Sequence, residues 1–371
     1  MSNLKQLQTV LEQSLIERNA EVRACLLGLI AQEHVLLVGP PGTAKSMLAT
    51  NLAKAIDARS FATLCTKFTA PEEIFGPVSL AALKEGRYER ILNGYAADAE
   101  IVFIDEVFKG SSAILNTLLT LLQERVFDNG GYRIPCPLRL AISASNEWPS
   151  SETGQELGAI FDRFLIRKRV MPVSPQGRDA LMYADLPAVG KLVALSDIDV
   201  DAAIAQTFPV SAEARAALAQ ILDELSAAGI RPGDRRCRKA VAVARAAAYL
   251  DGATDVQPHH LEDLSMVLWS DPDHADKAGE IIARIANPVG ARINEILREV
   301  DEAVQAAGDA AKRMAAIKKL EESEREIGKL SVQGNGRAAA ATKYVKRERV
   351  RMQAAALGID PAKAEALMGA A

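Results

Sequence analysis

Eight consecutive residues, Gly39-Pro40-Pro41-Gly42-Thr43-Ala44-Lys45-Ser46, have the types and the order needed to hold a polyphosphate. Glycines let a backbone curl until its N–H groups face anionic oxygens, and a helix opening directly after the curl adds the positive end of its dipole. In such a loop Lys45 would bridge the β- and γ-phosphates, and the Ser46 hydroxyl would ligate Mg2+. The strict form of the pattern has glycine where this chain has Ala44. Further along, the apolar run Ile101-Val102-Phe103-Ile104 delivers Asp105 and Glu106 to its end. Asp105 would reach the metal and Glu106 would polarise the attacking water. Alone, that run could be a buried strand capped by acids. Downstream of the loop it reads as the second half of a nucleotide-hydrolysing site.

Those residues need elements to hold them. The apolar run 34–38 enters the glycine-proline loop, 101–104 ends on the acidic pair, and 138–143 ends near Asn146. Helical periodicity fills 46–56 and 113–123 between them. Short apolar runs alternating with helices predict an α/β domain built on a parallel sheet. Two insertions, 77–95 and 125–137, carry Gly-Arg-Tyr and Asp-Asn-Gly-Gly and predict projecting β-hairpins. Before the sheet, Leu4, Leu7, Leu11 and Leu15 form one helical stripe and Val22, Leu26 and Ile30 the next. After it, helical patterns cover 211–228, 235–251 and 258–268. The last stretch has a stripe of Ile293, Ile296, Leu297, Val300 and Val304, a charge-dense helix over 312–329 and a basic one over 337–356. Asp360-Pro361 opens one more. This tail predicts a helical hairpin or coiled coil. The expected domains are therefore 1–175 (α/β, with N-terminal helices), 176–285 (all-α) and 286–371 (helical extension).

Composition narrows the classes. The 371 residues are 49% hydrophobic and 25% charged, with 44 basic against 48 acidic residues. That balance excludes dominant disorder and gives no whole-chain footprint for nucleic acid. No run approaches a membrane span, the N-terminus lacks the apolar core of a signal peptide, and four scattered cysteines suggest reduced thiols in a cytoplasmic protein. His259-His260 reads as exposed cap residues rather than metal ligands. The basic run 343–351 reads as a solvated helix face or a site for an acidic partner.

The segments GPPGTAKS (39–46), FTAPEEIFGP (68–77), IVFIDEVFKGSSAILNTLLTLLQER (101–125), ISASNE (142–147), FDRFLIR (161–167) and GDRRCRKA (233–240) together resemble the MoxR family of AAA+ ATPases, nearest its RavA-like branch. The likeness covers residues 7–270, and Ala44 in the loop is usual for that family. It implies an AAA+ sheet domain and an all-α lid. It implies ATP with Mg2+, a hexameric homo-oligomeric ring, and a partner carrying a von Willebrand factor A domain. It makes the two insertions the family's second-helix insertion and pre-sensor hairpin. By resemblance Asn146 is the water-orienting sensor 1. Arg163 is the arginine finger reaching a neighbour's γ-phosphate, with Arg167 as rival. Arg235 is sensor 2, with Arg236 nearly as plausible in a cluster that includes Arg231 and Arg238. Glu72 and Glu73 are family-typical without a chemistry of their own. Phe127, Tyr132 and Tyr88 could grip a client in the ring's pore or simply pack.

Three functions follow. The first is an ATP-driven chaperone-like factor for complex assembly or metal-cofactor insertion, acting on a protein client. The second is a nucleic-acid motor of a related clade, disfavoured by nearly neutral insertions. The third is a nucleotide-gated binding switch with little turnover.

Overall fold

The computed structural model describes residues 3–149, 154–175, 177–308, 310–330 and 336–356. It forms two compact units, Met1–Gly279 and Glu280–Ala371.

The first unit is organised by a five-stranded parallel sheet. Its strands are β1 (His34–Val38), β2 (Ser60–Leu64), β3 (Ile101–Asp105), β6 (Leu140–Ser145) and β7 (Phe164–Arg169), in spatial order β2-β3-β6-β1-β7. β1 and β6 are buried along their whole length, as expected for strands covered by helices on both faces. Full burial of one Val or Leu side chain stabilises by about 1.5–3 kcal/mol, so the run Val35-Leu36-Leu37 anchors β1 in the sheet's interior. β2 lies at the edge and alternates exposed with half-buried residues. The helix Asn19–Ala31 is buried on almost every side, whereas Ser112–Glu124 buries one stripe, Ile114, Leu115, Leu118, Leu121 and Leu122.

β1 is the switch point of this topology. The chain leaves it for β2 on one side of the sheet, and β7 closes its other side. Ligands of open α/β sheets bind outside the carboxyl ends of the strands at such a point. The eight-residue loop begins there.

The second expected insertion is a hairpin, β4 (Val126–Asn129) antiparallel to β5 (Tyr132–Pro135), closed by Gly130-Gly131. The first is not. Residues 77–95 hold a short helix, Leu80–Lys84, and a single antiparallel bridge, Val78 to Arg90. Ser79 caps that helix by accepting from the Ala82 N–H, so a local cap outcompetes strand pairing. The two insertions are joined: the Asn129 side chain accepts from the Arg90 N–H at 2.6 Å and donates to the Arg90 carbonyl at 3.1 Å.

The helices Leu195–Gln206, Ala212–Ala227 and Asp234–Asp251, with the 3-10 turn Pro258–Met266, complete the first unit. In the second unit the helices Pro288–Ala306, Ala310–Leu330 and Gly336–Ala356 pack around Ile293, Ile296, Val300, Leu320, Ile327 and Val345. This three-helix bundle replaces the expected hairpin or coiled coil, because the 293–304 stripe supplies the third wall of one core. The basic run is solvated at Lys343, Lys346 and Arg347, but its last two arginines are paired. Arg349 pairs with Glu324 at 3.0 Å and Arg351 with the buried Glu348 at 3.2 Å. The helix expected at Asp360-Pro361 lies outside the described residues.

Candidate active site

The sheet gathers the predicted residues at two opposite ends. At the carboxyl end, the Gly39 N–H donates to the Ser145 carbonyl at 3.0 Å and the Val170 N–H to the Val38 carbonyl at 2.7 Å, so β6 and β7 pin the loop's root. A Cβ on Gly39 would stand 2.1 Å from the Val170 carbonyl oxygen, which only glycine avoids. Gly42 and Ala44 then take φ of +78° and +64°, and the curl delivers Lys45 to the first position of the helix Lys45–Ala55. Lys45 is 8% exposed; its ammonium donates to the Gly39 and Pro40 carbonyls at 2.7 and 2.8 Å. Desolvation lowers its pKa, and the carboxylates of Asp105 and Glu106 work against that shift.

Asp105 ends β3, and Glu106 follows with φ +53°, 7% exposed, its carboxylate 3.3 Å from the Lys109 ammonium. The Glu106 N–H donates back to the Asp105 carboxylate at 3.1 Å. Asn146 follows β6, the strand between β3 and β1, and is exposed. Lys45, Ser46, Asp105, Glu106 and Asn146 therefore share one edge. No trio of His, Cys, Asp or Glu gathers a metal among the described residues. The exposed Ser46 hydroxyl and the Asp105 carboxylate are hard oxygen donors that suit Mg2+ with waters completing its shell.

Sequence reasoning missed a cavity of ≈ 350 Å³ beside the loop, walled by Leu15, Ile16, Pro172, Val173, Leu181 and Leu186 with Pro41 and Met47. An apolar wall next to a phosphate cradle fits a planar base. The buried Arg18 reaches from this wall to the loop, its Nε donating to the Thr43 carbonyl at 3.0 Å. Leu15 closes the N-terminal stripe, the one sequence sign of this wall.

The other end holds the arginines. β1 and β7 run parallel with His34 opposite Phe164 and Val38 opposite Arg169. Arg163, one residue before β7, thus lies level with the start of β1, while the loop follows its end. At about 3.3 Å per residue the two are roughly 15 Å apart. Arg163 shares a small cleft with Glu33, Asp162 and Arg235. Its Nε has no hydrogen-bond partner among the described residues, and its contact with Asp162 is long, 3.9 Å. Desolvation, then the Arg235 charge, lowers its pKa. Arg235 is exposed; four residues on, Lys239 pairs with Glu33 at 2.6 Å. The rivals are placed differently. Arg167 is fully buried; its guanidinium donates to the carbonyls of Phe161, Phe164, Trp269 and Ser270 and stacks 3.6 Å over the Phe161 ring. Arg236, 3% exposed, donates to the Leu165 and Val267 carbonyls and to Asp162. Both are tied into the protein's own backbone.

Other singled-out residues resolve locally. Phe127 is buried against Phe75, ring centroids 5.6 Å apart, whereas Tyr88 and Tyr132 are exposed. Glu72 pairs with Arg90, and Glu73 accepts from the Ala70 N–H as a helix cap. Of the His259-His260 pair, expected as exposed cap residues, His259 is exposed, whereas His260 caps the turn Pro258–Met266 from a buried position: it is 1% exposed, its Nδ1 accepting from the Gln257 N–H at 2.9 Å.

A parallel sheet in this order, a phosphate loop at its switch point, an acidic pair on the next-but-one strand and a helical domain behind define the AAA+ class. The comparisons agree. The family model for the MoxR domain in MoxR–vWA–beta-propeller ternary systems matches residues 2–229, and that for the AAA lid domain matches 214–282. The chain belongs to the MoxR family of AAA+ ATPases. An uncharacterized protein of Methanocaldococcus jannaschii is 36% identical over 287 residues, 76% of each chain. Chaperone MoxR1 of Mycobacterium tuberculosis is 28% identical over 163 residues, 44% of this chain and 42% of that one. A crystal structure from Cytophaga hutchinsonii, described as a candidate ATPase, shares the fold with TM-score 0.63 at 17% identity, covering 76% of this chain and 93% of that one. No helix among the described residues is long and apolar enough to cross a membrane.

Proposed function

We propose that this chain hydrolyses Mg-ATP as a hexameric ring in the cytoplasm and uses turnover to remodel or mature a client protein with a von Willebrand factor A domain partner. Complex assembly and metal-cofactor insertion are the tasks that fit. The observation that carries the reading is the separation of the two ends: the lysine loop and acidic pair lie together, and the arginines lie a strand's length away. One subunit cannot bring Arg163 to its own loop, so Arg163 acts on the phosphate of a neighbour. The same holds for Arg235, which shares the Arg163 cleft.

Bound Mg-ATP supplies the phosphoryl group and the charge neutralisation of its oxygens. The chain's residues do the rest. Loop N–H groups and Lys45 hold the phosphates, while Ser46 and Asp105 hold the ion. Glu106 takes the proton of the attacking water, exchanging its contact with Lys109 for that water, and Asn146 orients it. Arg163 and Arg235 of the next subunit meet the charge that develops. The von Willebrand partner is supported by the systems named in the family description; the RavA-like placement rests on the sequence resemblance.

A nucleic-acid motor has less support. Among the insertion cations, Arg87 pairs with Glu85 and Glu89, Arg90 with Glu72, and Arg133 with Glu124 and Asp128. Stimulation of turnover by DNA or RNA strands would reverse that ranking. The main test is turnover against protein concentration. Specific activity should rise as rings assemble, and Glu106→Gln should keep ATP binding while losing about 10²–10⁴-fold in turnover. Concentration-independent hydrolysis by single subunits would overturn the ring mechanism.

A further inference from the structure

Among the described residues, three of the six non-glycine residues with positive φ surround the loop end: Glu17 (+53°), Ala44 (+64°) and Glu106 (+53°). Ala44 shapes the phosphate loop and Glu106 belongs to the acidic pair. Glu17 has no role in the chemistry described. Gln32, Asp57 and Arg125, the other three, lie at helix ends; a side chain other than glycine holds such a conformation at a cost, so its surroundings must fix it.

What holds Glu17 is the segment after β7. One carboxylate oxygen accepts from the Ser174 N–H at 2.7 Å, the other from the Ser174 hydroxyl at 2.5 Å. Those two bonds lower the carboxyl's pKa. The Ser174 hydroxyl oxygen also accepts from the Gly177 N–H at 3.1 Å. A Cβ on Gly177 would stand 2.4 Å from the Glu17 carboxylate, so a larger residue there would push that carboxylate aside. The next residue, Arg18, is 4% exposed and donates both to the Glu17 carbonyl at 2.7 Å and to the Thr43 carbonyl at 3.0 Å. A strained residue thus grips the post-β7 segment, while its neighbour grips the phosphate loop. The cavity beside that loop takes one wall from each gripped segment: Leu15, Ile16 and Arg18 on one side, Pro172, Val173 and Arg178 on the other.

We propose that Glu17 and Ser174 form a clasp joining the two walls of the base cavity, and that Glu17 is a positioning residue that sets how long a nucleotide stays bound. The inference rests on the reading of the 39–46 loop as a nucleotide site. A closed clasp keeps both walls on the base and, through Arg18, holds the Thr43 carbonyl and the loop in register with it. An opened clasp frees the post-β7 segment to swing away, so release accelerates while the sheet and its core are untouched.

The test is the release rate of a fluorescent N-methylanthraniloyl-ATP with Mg2+, measured by stopped flow on the full chain. Glu17→Gly keeps the backbone comfortable at φ +53° but removes the carboxylate; release should quicken about tenfold, with the thermal midpoint of the nucleotide-free protein within about 2 °C of wild type. Ser174→Ala loses the hydroxyl bond but keeps the backbone N–H bond to Glu17, so it should give a smaller acceleration, and adding it to Glu17→Gly should change little, because Glu17→Gly already breaks both bonds of the clasp. Glu17→Gln can accept from the Ser174 N–H and donate to its hydroxyl oxygen, so it should restore release to within about threefold of wild type. Nucleotide binding by wild type with Glu17→Gly releasing at the wild-type rate overturns the clasp alone. Failure of wild type to bind the probe overturns the loop reading, and the clasp with it.

Discussion

The two ends of the sheet are built on different principles. At the carboxyl end the charged groups lie at one rim and are contributed by short contiguous segments, 39–46 and 105–106, each fixed by the strand that precedes it. At the opposite end four arginines converge from 163, 167, 235 and 236, and two of them are caged by carbonyls while two are not. A cage consumes a guanidinium's donors and makes it part of the fold. An uncaged arginine at a cleft keeps donors for something outside its own subunit. The contrast separates arginines spent on the fold from arginines of identical charge that are not, and each half can be broken separately.

The largest effect should come from the uncaged half. Arg163→Ala removes a guanidinium that owes the fold little, so thermal stability should stay near wild type. ATP turnover in assembled rings should fall by about 10³-fold or more, the scale of a lost trans arginine. Mixing Arg163→Ala with Lys45→Ala subunits should restore part of the activity, because each carries the end the other lacks. Turnover of Arg163→Ala alone at the wild-type rate would show that the cleft serves another purpose.

The caged half should fail the other way. Arg167→Ala strands four carbonyls in the interior and empties the space over the Phe161 ring. Leaving even one buried acceptor unsatisfied costs about 1–3 kcal/mol, and a urea melt should show the loss as a lower midpoint. Arg167→Lys should rescue poorly, since one ammonium cannot replace a planar fork on four acceptors.

This contrast also marks what was legible in the sequence. The phosphate loop and acidic pair were readable because contiguous residues on predictable strands carry them. The three apolar runs placed β1, β3 and β6, and helical spacing placed most helices. The arginine end was not readable to the same depth. In the string, Asp162-Arg163-Phe164 and Leu165-Ile166-Arg167 differ by nothing that says which guanidinium meets carbonyls from Trp269 and Ser270, about a hundred residues away. The cavity beside the loop was hidden for the same reason: its walls come from Leu15, Ile16 and Arg18 and from Pro172, Val173, Leu181 and Leu186, brought together only by the fold. Where local caps competed with strand pairing, as at Ser79, turn signals alone misled.

A smaller effect tests whether the arginine end is held by electrostatics as well as packing. His34 opens β1 there; its Nε2 lies 2.8 Å from the Leu122 carbonyl and its Nδ1 accepts from the Ala141 N–H, which fixes a neutral ring with hydrogen on Nε2. Burial, aided by the charges of Arg125, Lys239 and Arg235 and opposed by the Leu122 hydrogen bond, pulls its pKa from 6.5 to about 4. The unfolded chain therefore binds the proton more readily between those values. The His34 contribution is complete above pH 6.5 and is lost as pH falls toward 4, by up to ~1.4 kcal/mol per pH unit. His260, with its pKa also lowered to about 4, follows the same sign. Urea midpoints at pH 7 and pH 5 should differ in wild type, and His34→Gln should flatten part of that slope.

The smallest effect belongs to the carboxyl end, where the loop stores strain instead of charge. Ala44 holds φ +64°, a conformation that costs an L residue about 1–2 kcal/mol and glycine nothing. Ala44→Gly relieves that strain but loosens the unfolded chain by about 0.4–1 kcal/mol. The two terms nearly cancel, so stability should change by less than about 1 kcal/mol, in the stabilising direction if at all. The same exchange at Ala53, inside the following helix and buried, carries no strain to relieve and should cost about 1 kcal/mol from propensity alone, plus lost packing. Comparing the two variants in one urea titration isolates the loop's conformational strain from glycine's general cost. Equal losses at both positions would mean that the left-handed turn at Ala44 carries no strain in solution. A smaller loss at Ala44 would place the alanine in that loop as a rigidifying choice, which narrows the loop's motion before a phosphate arrives.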